Sequence, residues 1–477
     1  MKFIINCNNS LSFNMEELKE TLYHALTFRT ELCMGCSHCM MKCPTEAIRV
    51  IDGKAILNPD RCIDCGECYR ICPYGAISVR QDDFEKIYNY KYRIVLMPAV
   101  FSAQFPDKIT SHQIYRALIS IGFTHIYETE SSIEFLTKPY NDYVKNHEKK
   151  PVISSFCPAI VRLIQVRFPT LVDNIMLIKP PMDVTALYIK KIFEEDNIPL
   201  EEAGIFYVTP CAAKIAGIKS SVLGDSSLIN GVINMSYLYN KVYREIKQKG
   251  FGVEENQVSE FKSISRDSVR WSLTKGEIRV VKTNRKLAID QIENVIDFLE
   301  KLENEDIDNI DFLELRACYQ SCAGGILCSG NKFLTTERAN RRANDVEETK
   351  INKQQLERLA PYIEENVLLH GKILPRSIIK LDDNMAEAMK KMKRIHEINN
   401  ILPQVDCGIC GAPSCQAFAE DIVQKAIDIK GCIFVQKILE QNDKLDITET
   451  TDLMIKTWGI GKLDKSRIKE LNDEINI

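Results

Sequence analysis

The chain has 477 residues, 62 Lys+Arg against 66 Asp+Glu, 45% hydrophobic residues and 18 cysteines. A formal charge of −4 lacks the basic excess of a broad nucleic-acid footprint. No apolar run approaches the ~18 residues of a membrane span, and Met1–Asn6 is too short for a secretory leader. The length predicts about three domains at ~150 residues each, with apolar content sufficient for packed cores. The cysteines are grouped, with nine in residues 1–72, five between Cys157 and Cys328, and four between Cys407 and Cys432. Short Cys-x2-Cys spacings in a long chain without a leader point to metal ligation in a reducing compartment. A cytoplasmic address is therefore expected, rather than a secreted disulfide framework.

After an N-terminal lead (1–28), the first chemistry falls in residues 29–85. Cys33, Cys36, Cys39, Cys43-Pro44 and Cys62, Cys65, Cys68, Cys72-Pro73 both read C-x2-C-x2-C-x3-C-P, the pattern of two-cluster bacterial ferredoxins. Three thiolates two residues apart can wrap one side of a cuboidal cluster, while the intervening amides aim N–H groups at its sulfurs. In that pattern the fourth cysteine of each run ligates the other cluster. One 4Fe–4S centre is thus expected on Cys33, Cys36, Cys39 and Cys72, the other on Cys62, Cys65, Cys68 and Cys43. Ala47–Val50 and Ala76–Val79 follow the two Cys-Pro steps in matching register, a repeat of about 29 residues. Their β-branched content predicts short strands. Four cysteines can also hold zinc, but the prolines and the doubled spacing favour clusters. His38 reads as a solvent-facing filler.

From Tyr92 the pattern becomes alternating strands and helices. Buried strands are predicted at Tyr92–Val100, Phe123–Tyr127, Pro151–Phe156, Ala203–Thr209 and Asp311–Ala317, with helices including Asp183–Phe193 and Ala288–Leu302. Such alternation predicts α/β layers with largely parallel strands. Cys157, Cys211 and Cys318 each follow the carboxyl end of a predicted strand, where open α/β sheets place ligand crevices. With Cys322 they make four converging thiolates, enough for one more cubane. Lys214, three residues after Cys211, could hold a donor over an anionic group, and Gly324 and Gly325 permit close backbone approach.

These segments (Ser155-Phe156-Cys157-Pro158, Thr209-Pro210-Cys211-Ala212-Ala213-Lys214 and Cys318-x3-Cys322-Ala323-Gly324-Gly325) resemble the three signatures of the iron-only (FeFe) hydrogenase catalytic domain. The resemblance spans about Tyr92 to Arg342 and implies a two-lobed α/β core. It implies that Cys157, Cys211, Cys318 and Cys322 hold the cubane half of an H-cluster. It further implies that Cys322 bridges to a di-iron subcluster and that Lys214 contacts one of its cyanides. Three departures stand out. Phe156 occupies the place of the proton-relaying cysteine, and a phenyl ring cannot exchange a proton. Thr209 and Arg316 replace two methionines. Gly325-Ile326-Leu327-Cys328 replaces a longer glycine run. These substitutions resemble divergent, sensory members of the family. Cys328 reads as a buried thiol or an extra acid–base group.

The charged segment after Val346 is expected to be helical, with 346–388 a linker. The Met stripe of Met385–Ile398 reads as core packing, and Arg338, Arg341 and Arg342 as a solvated basic face. Cys407, Cys410, Cys415 and Cys432 then follow C-x2-C-x4-C-x16-C within 389–445. This resembles the small Fe–S domain of corrinoid proteins and membrane electron-transport subunits. Gly408 and Gly411 permit a tight loop, and Pro413 is expected to start a helix through Phe418 and Ile422. The tail (446–477) carries no readable chemistry, and Trp458 is expected to dock on the body.

The expected architecture is therefore α/β: a ferredoxin-like α+β module (29–85), the hydrogenase-like core (92–345) and a small helical Fe–S domain. The expected cofactors are three conventional 4Fe–4S clusters plus an H-cluster, or a fourth plain cubane. The leading functional expectation is an H2-converting or H2-sensing protein of ferredoxin-type hydrogenase class, slow because of Phe156. Its partners would be H2, protons, and a ferredoxin or signalling protein. The alternative is a non-catalytic electron carrier or scaffold. No G-x-G-x-x-G fingerprint supports flavin or NAD chemistry.

Overall fold

The computed structural model describes residues 22–220, 227–251, 264–346, 353–376, 381 and 384–464. Cys7, most of the N-terminal lead and the end of the tail lie outside the described residues. Leu26–Phe28 (β1), the end of the lead, belongs to the ferredoxin-like module. Ile48–Ile51 (β2) pairs antiparallel with Lys54–Leu57 (β3), and β1 pairs antiparallel with Ile77–Val79 (β4). Asp52-Gly53 turns β2 into β3 with φ of 48° and 66°, the two positive values that a tight hairpin demands and that Asp-Gly supplies. Short helices His38–Met41 and Glu67–Ile71 carry the third cysteine of each run.

The central region has two parallel sheets. Tyr92–Met97 (β5), His125–Glu128 (β6), Ala203–Thr209 (β8) and Gly231–Asn234 (β9) form one sheet in the order β6-β5-β8-β9. Val152–Ile153 (β7), Lys286–Ile289 (β10) and Phe312–Leu315 (β11) form the other, in the order β10-β11-β7. All seven residues of β8 are buried, as a strand covered on both faces requires.

Several boundaries differ from the sequence expectation. β5 stops at Met97 because Pro98 leads into helix Ala99–Ser102. The strand expected at Pro151–Phe156 shrinks to β7, because the Ser154 hydroxyl takes the Phe156 N–H at 3.1 Å and turns the chain. The helix expected from Ala288 begins at Ile292, and its first residues instead form β10.

The segment expected to be a linker contains helix Lys353–Asn366, which packs on helices Ile133–Asn146 and Pro181–Glu195. Leu359 and Ile363 on this helix, and Val367 just after it, are buried in one core with residues of β5, β8, β7 and β11, so this stretch is part of the core. The Met stripe is corrected in the opposite direction. Met385, Met389 and Met392 are 77%, 66% and 65% exposed. Helix Met385–Ile401 instead buries Ile395 and Ile398, which lie on another face, against Phe418.

The C-terminal module adds helices Cys415–Val423, Ile433–Gln441 and Ile447–Trp458. Its first helix starts at Cys415 rather than at Pro413, because the Ser414 hydroxyl caps it by accepting from Ala417 N at 3.0 Å. Among the described residues, no helix is long and apolar enough to cross a membrane.

Candidate iron–sulfur centres and the Phe156 pocket

The folded chain gathers the sixteen proposed ligands into four groups. Cys33, Cys36, Cys39 and Cys72 line one pocket together with Val50, Ala55 and Ile77. Burial pushes the Cys39 thiol up to about 12, and Cys36, Cys33 and Cys72 add to the shift. Cys43 crosses over to the other run: Cys65 and Cys68 are both raised by burial first and by Cys43 next. Backbone amides point at these sulfurs in repeat-related pairs. Ala47 N donates to Cys43 Sγ at 3.2 Å and Ala76 N to Cys72 Sγ at 3.3 Å, both four residues on. Ala55 N donates to Cys33 Sγ at 3.3 Å. Such donors stabilise sulfur that carries negative charge.

The third group lies where the two parallel sheets meet. Cys157 and Cys211 are the N-cap residues of helices Pro158–Arg167 and Ala212–Lys219, whose positive ends favour thiolate. Cys318 follows β11, and a turn through Gln320 and Ser321, with φ of 64° and 54°, returns the chain to Cys322. Burial raises the Cys318 thiol, and Cys211, Cys157 and Cys322 follow as causes of the shift. A Cβ on Gly325 would run into the Pro210 carbonyl beside Cys211. The fourth group, Cys407, Cys410, Cys415 and Cys432, lines a single pocket with Gly408 and Phe418.

The spacing of these groups bears on the choice between clusters and zinc. Tetrahedral zinc at ~2.3 Å from each sulfur would hold the sulfurs about 3.8 Å apart. Among the described residues, the only three or more ligand atoms lying within 4.8 Å of one another belong to His24, Cys62 and Asp64. None of the cysteine quartets is drawn in that far, a spacing compatible with cuboidal clusters. The His24 group is an ion-pair network. Asp64 is fully buried, bonds His24 Nδ1 at 2.7 Å, pairs with Arg162, and accepts from Ala25 N at 2.9 Å.

Beside Cys322 lies a small pocket lined by Thr129, Glu130, Phe156, Pro180, Met182, Tyr207, Lys214 and Ser272 among others. Lys214 is 4% exposed, and its Nζ sits 3.3 Å from Tyr207 Oη and 4.1 Å from the Phe156 ring centroid. Burial opposes its charge, but Tyr207, Cys322 and Cys211 outweigh that and hold its pKa above the usual lysine range. Arg316 Cζ lies 4.0 Å from the same ring centroid, so Phe156 contacts two buried cations. Arg316 is neutralised by Glu277 at 2.8 Å and Glu314 at 3.5 Å. Glu277 also accepts from Ser154 Oγ at 2.7 Å and Tyr140 Oη at 3.1 Å. Thr209 accepts from Cys211 N at 3.3 Å and so braces that ligand.

Glu130 was not legible in the sequence. Its carboxylate accepts from Ala99 N at 2.8 Å and Ser272 Oγ at 2.5 Å, and burial pushes its pKa up to about 7 despite these bonds. Local sequence carries no motif for it, since its place in the pocket comes from the loop after β6. Cys328 donates to the Cys322 carbonyl at 3.3 Å, and burial followed by Cys322 raises its thiol far out of the acid–base range. The expected basic face is largely neutralised: Arg338 and Arg341 share Asp107, and Arg342 pairs with buried Glu128 at 2.5 Å. His38 is exposed, as a filler should be.

Comparison with known proteins accords with this geometry. Residues 92–271 match the family of the iron only hydrogenase large subunit, C-terminal domain. Residues 32–77 match the 4Fe-4S dicluster domain, and 402–434 an Fe-S cluster family. Solved structures similar to this chain include the FeFe-hydrogenase HydA(deltaEFG), at 14% identity over 60% of this chain and 94% of that chain, TM-score 0.46. A variant of FeFe-hydrogenase HydA1 from Chlamydomonas reinhardtii matches at 13% identity over the same shares, TM-score 0.45. This iron–sulfur chain is thus similar to the iron-only hydrogenase large subunit over residues 92–271 and to dicluster and Fe-S domains on either side, a combination that supports a divergent iron-only hydrogenase-like family.

Proposed function

We propose that the protein interconverts or senses H2 at the site formed by Cys157, Cys211, Cys318 and Cys322, with Lys214 as the cationic anchor of that site. The observation that carries this reading is the buried Lys214 ammonium, which lines the pocket beside Cys322 and is held by Tyr207 and the face of Phe156. A bare cubane held by four thiolates gives no reason to bury a lysine there at the expense of desolvation. A di-iron unit held beside Cys322 would supply reversible splitting of H2 into protons and electrons. In this reading the chain's own residues do the rest. Lys214 binds an anionic ligand, Thr209 fixes Cys211, and the flanking glycines admit backbone close to the cluster. Phe156 and Arg316 close the side from which a cysteine would exchange protons, which favours slow or sensory chemistry. The test is infrared spectroscopy on maturase-coexpressed protein. CO and CN⁻ stretches that shift under H2 are expected, and their absence would overturn the reading.

A second reading has one specific observation in its favour. Phe156 and the two cations packed on it occupy much of the space beside Cys322, as a plain cubane carrier would tolerate. Iron counting separates the two: four cubanes alone give ~16 Fe, and a di-iron unit adds about two.

A further inference from the structure

The four cysteine sites are arranged in series, and at the inner and outer junctions the chain places a glycine from one Cys-x2-Cys run against its neighbour. At the inner junction, Gly66 lies between Cys65 and Cys68 with φ +84°. A Cβ there would come within 2.9 Å of Ile326 Cγ2, in the loop after Cys322. Arg70 seals this contact by donating to Gly324 O at 2.8 Å. The two ferredoxin-like sites adjoin directly, since the helices His38–Met41 and Glu67–Ile71, which carry Cys39 and Cys68, pack against each other.

The outer junction uses the same device. Gly408, next to Cys407, has φ +72°, and a Cβ there would lie 2.9 Å from Met41 Sδ and 3.2 Å from Met40 Cε. Met40 directly follows Cys39 and is fully buried. Gly411 O, next to Cys410, accepts from Val50 N at 2.9 Å, and Val50 lines the pocket of Cys33, Cys36, Cys39 and Cys72. Ion pairs hold the junction: Arg61 with Glu420 at 2.5 Å and Arg49 with Asp421 at 2.6 Å. The tail clamps it further. Asp52 N and Gly53 N donate to the Lys456 and Thr457 carbonyls, and Trp458 Nε1 donates to Ile409 O at 2.8 Å.

We infer that the C-terminal site is the outermost station of a single relay, entered before the Cys33 site and not through a separate branch. Among the described cysteines only Cys407 is exposed, so a one-electron redox protein exchanges electrons at that edge. Each carrier oxidised there passes one electron inward. Two such transfers and two protons balance one H2 at the Cys322 site, in either direction. The H2 end of this relay rests on the function proposed above, whereas the order of the outer sites does not.

The test is electron paramagnetic resonance on the full-length, cluster-loaded protein during an anaerobic dithionite titration. The C-terminal signal is expected to relax faster once the Cys33 site is also reduced. In Asp421→Arg, which sets a like charge against Arg49 and opens the outer junction, that enhancement is expected to fall several-fold at unchanged iron content. A C-terminal signal in the unmodified protein that is indifferent to the state of the Cys33 site overturns the series order, and this decides the matter even if Asp421→Arg does not fold. Absent CO and CN⁻ bands together with intact coupling would remove only the H2 reading. Bands present with a magnetically isolated C-terminal site would remove only the relay.

Discussion

Replacing Phe156 perturbs stability and chemistry in separable ways. The ring is 4% exposed and contacts Lys214 Nζ at 4.1 Å and Arg316 Cζ at 4.0 Å from its centroid. Truncating a buried phenylalanine to alanine costs about 3–5 kcal/mol, and cysteine recovers part of that by filling some of the space. A desolvated cation on an aromatic face contributes up to about 2 kcal/mol. Both cations keep other partners here, Tyr207 for Lys214 and Glu277 for Arg316, so the two contributions do not add in full. Phe156→Cys should therefore lose about 4 kcal/mol in anaerobic chemical denaturation. Phe156→Leu, which keeps most of the volume but no π face, should lose about 2 kcal/mol. If Phe156→Leu loses under 0.5 kcal/mol, the double cation contact contributes nothing. The chemical effect runs the other way. A cysteine at this position restores a proton-exchanging group, a type of contribution usually amounting to about 10²-fold or more. Isotope exchange between H2 and D2O should rise accordingly in matured Phe156→Cys. An unchanged rate, with the infrared bands retained, would refute the view that Phe156 closes the route.

Three further perturbations follow from the geometry. Glu130 has its pKa raised from 4.5 to about 7 in the folded state, so the fold holds its proton more tightly than the unfolded chain. Its contribution to stability is intact below pH ~4.5 and is lost as pH rises toward ~7, by about 3 kcal/mol in all. Denaturation at pH 5 and pH 7.5 should show that slope reduced in Glu130→Gln, and an identical slope would count against the shift. Asp64→Ala leaves Arg162 buried without its partner and frees the Ala25 amide. A loss of about 3–5 kcal/mol is expected, with limited proteolysis accelerated in the ferredoxin-like module first. Leu359→Ala should cost about 2–4 kcal/mol by opening a cavity in the core it shares with both sheets. A neutral result there would restore the linker reading of this helix.

Local spacing determined a good deal of this protein. A thiol two residues from the next can reach the same cluster however the rest of the chain folds, so the ferredoxin runs, the C-terminal quartet and the three central Cys segments were legible one by one. The fully apolar run of β8 was legible for the same reason, because burial on both faces leaves no alternation to misread. Phe156 was marked through the resemblance, which implies a cysteine at that place, and an aromatic ring there excludes proton exchange.

Tertiary structure decided everything that depends on distant parts meeting. Glu130, Tyr207, Ser272 and Glu277 come from separate loops and strands, and no local pattern marks a carboxylate that becomes buried only when two sheets close over it. The Met stripe was assigned to the core because helical periodicity shows that one face is apolar but not what covers it, and here nothing among the described residues does. Arg338, Arg341 and Arg342 looked like an open basic face because Asp107 and Glu128 lie more than two hundred residues away. The order of the four sites was beyond sequence for the same physical reason. Ligand spacing is a property of a few covalent bonds, whereas the distance between two sites is set by how whole modules pack, down to a glycine that leaves room for a neighbouring methionine.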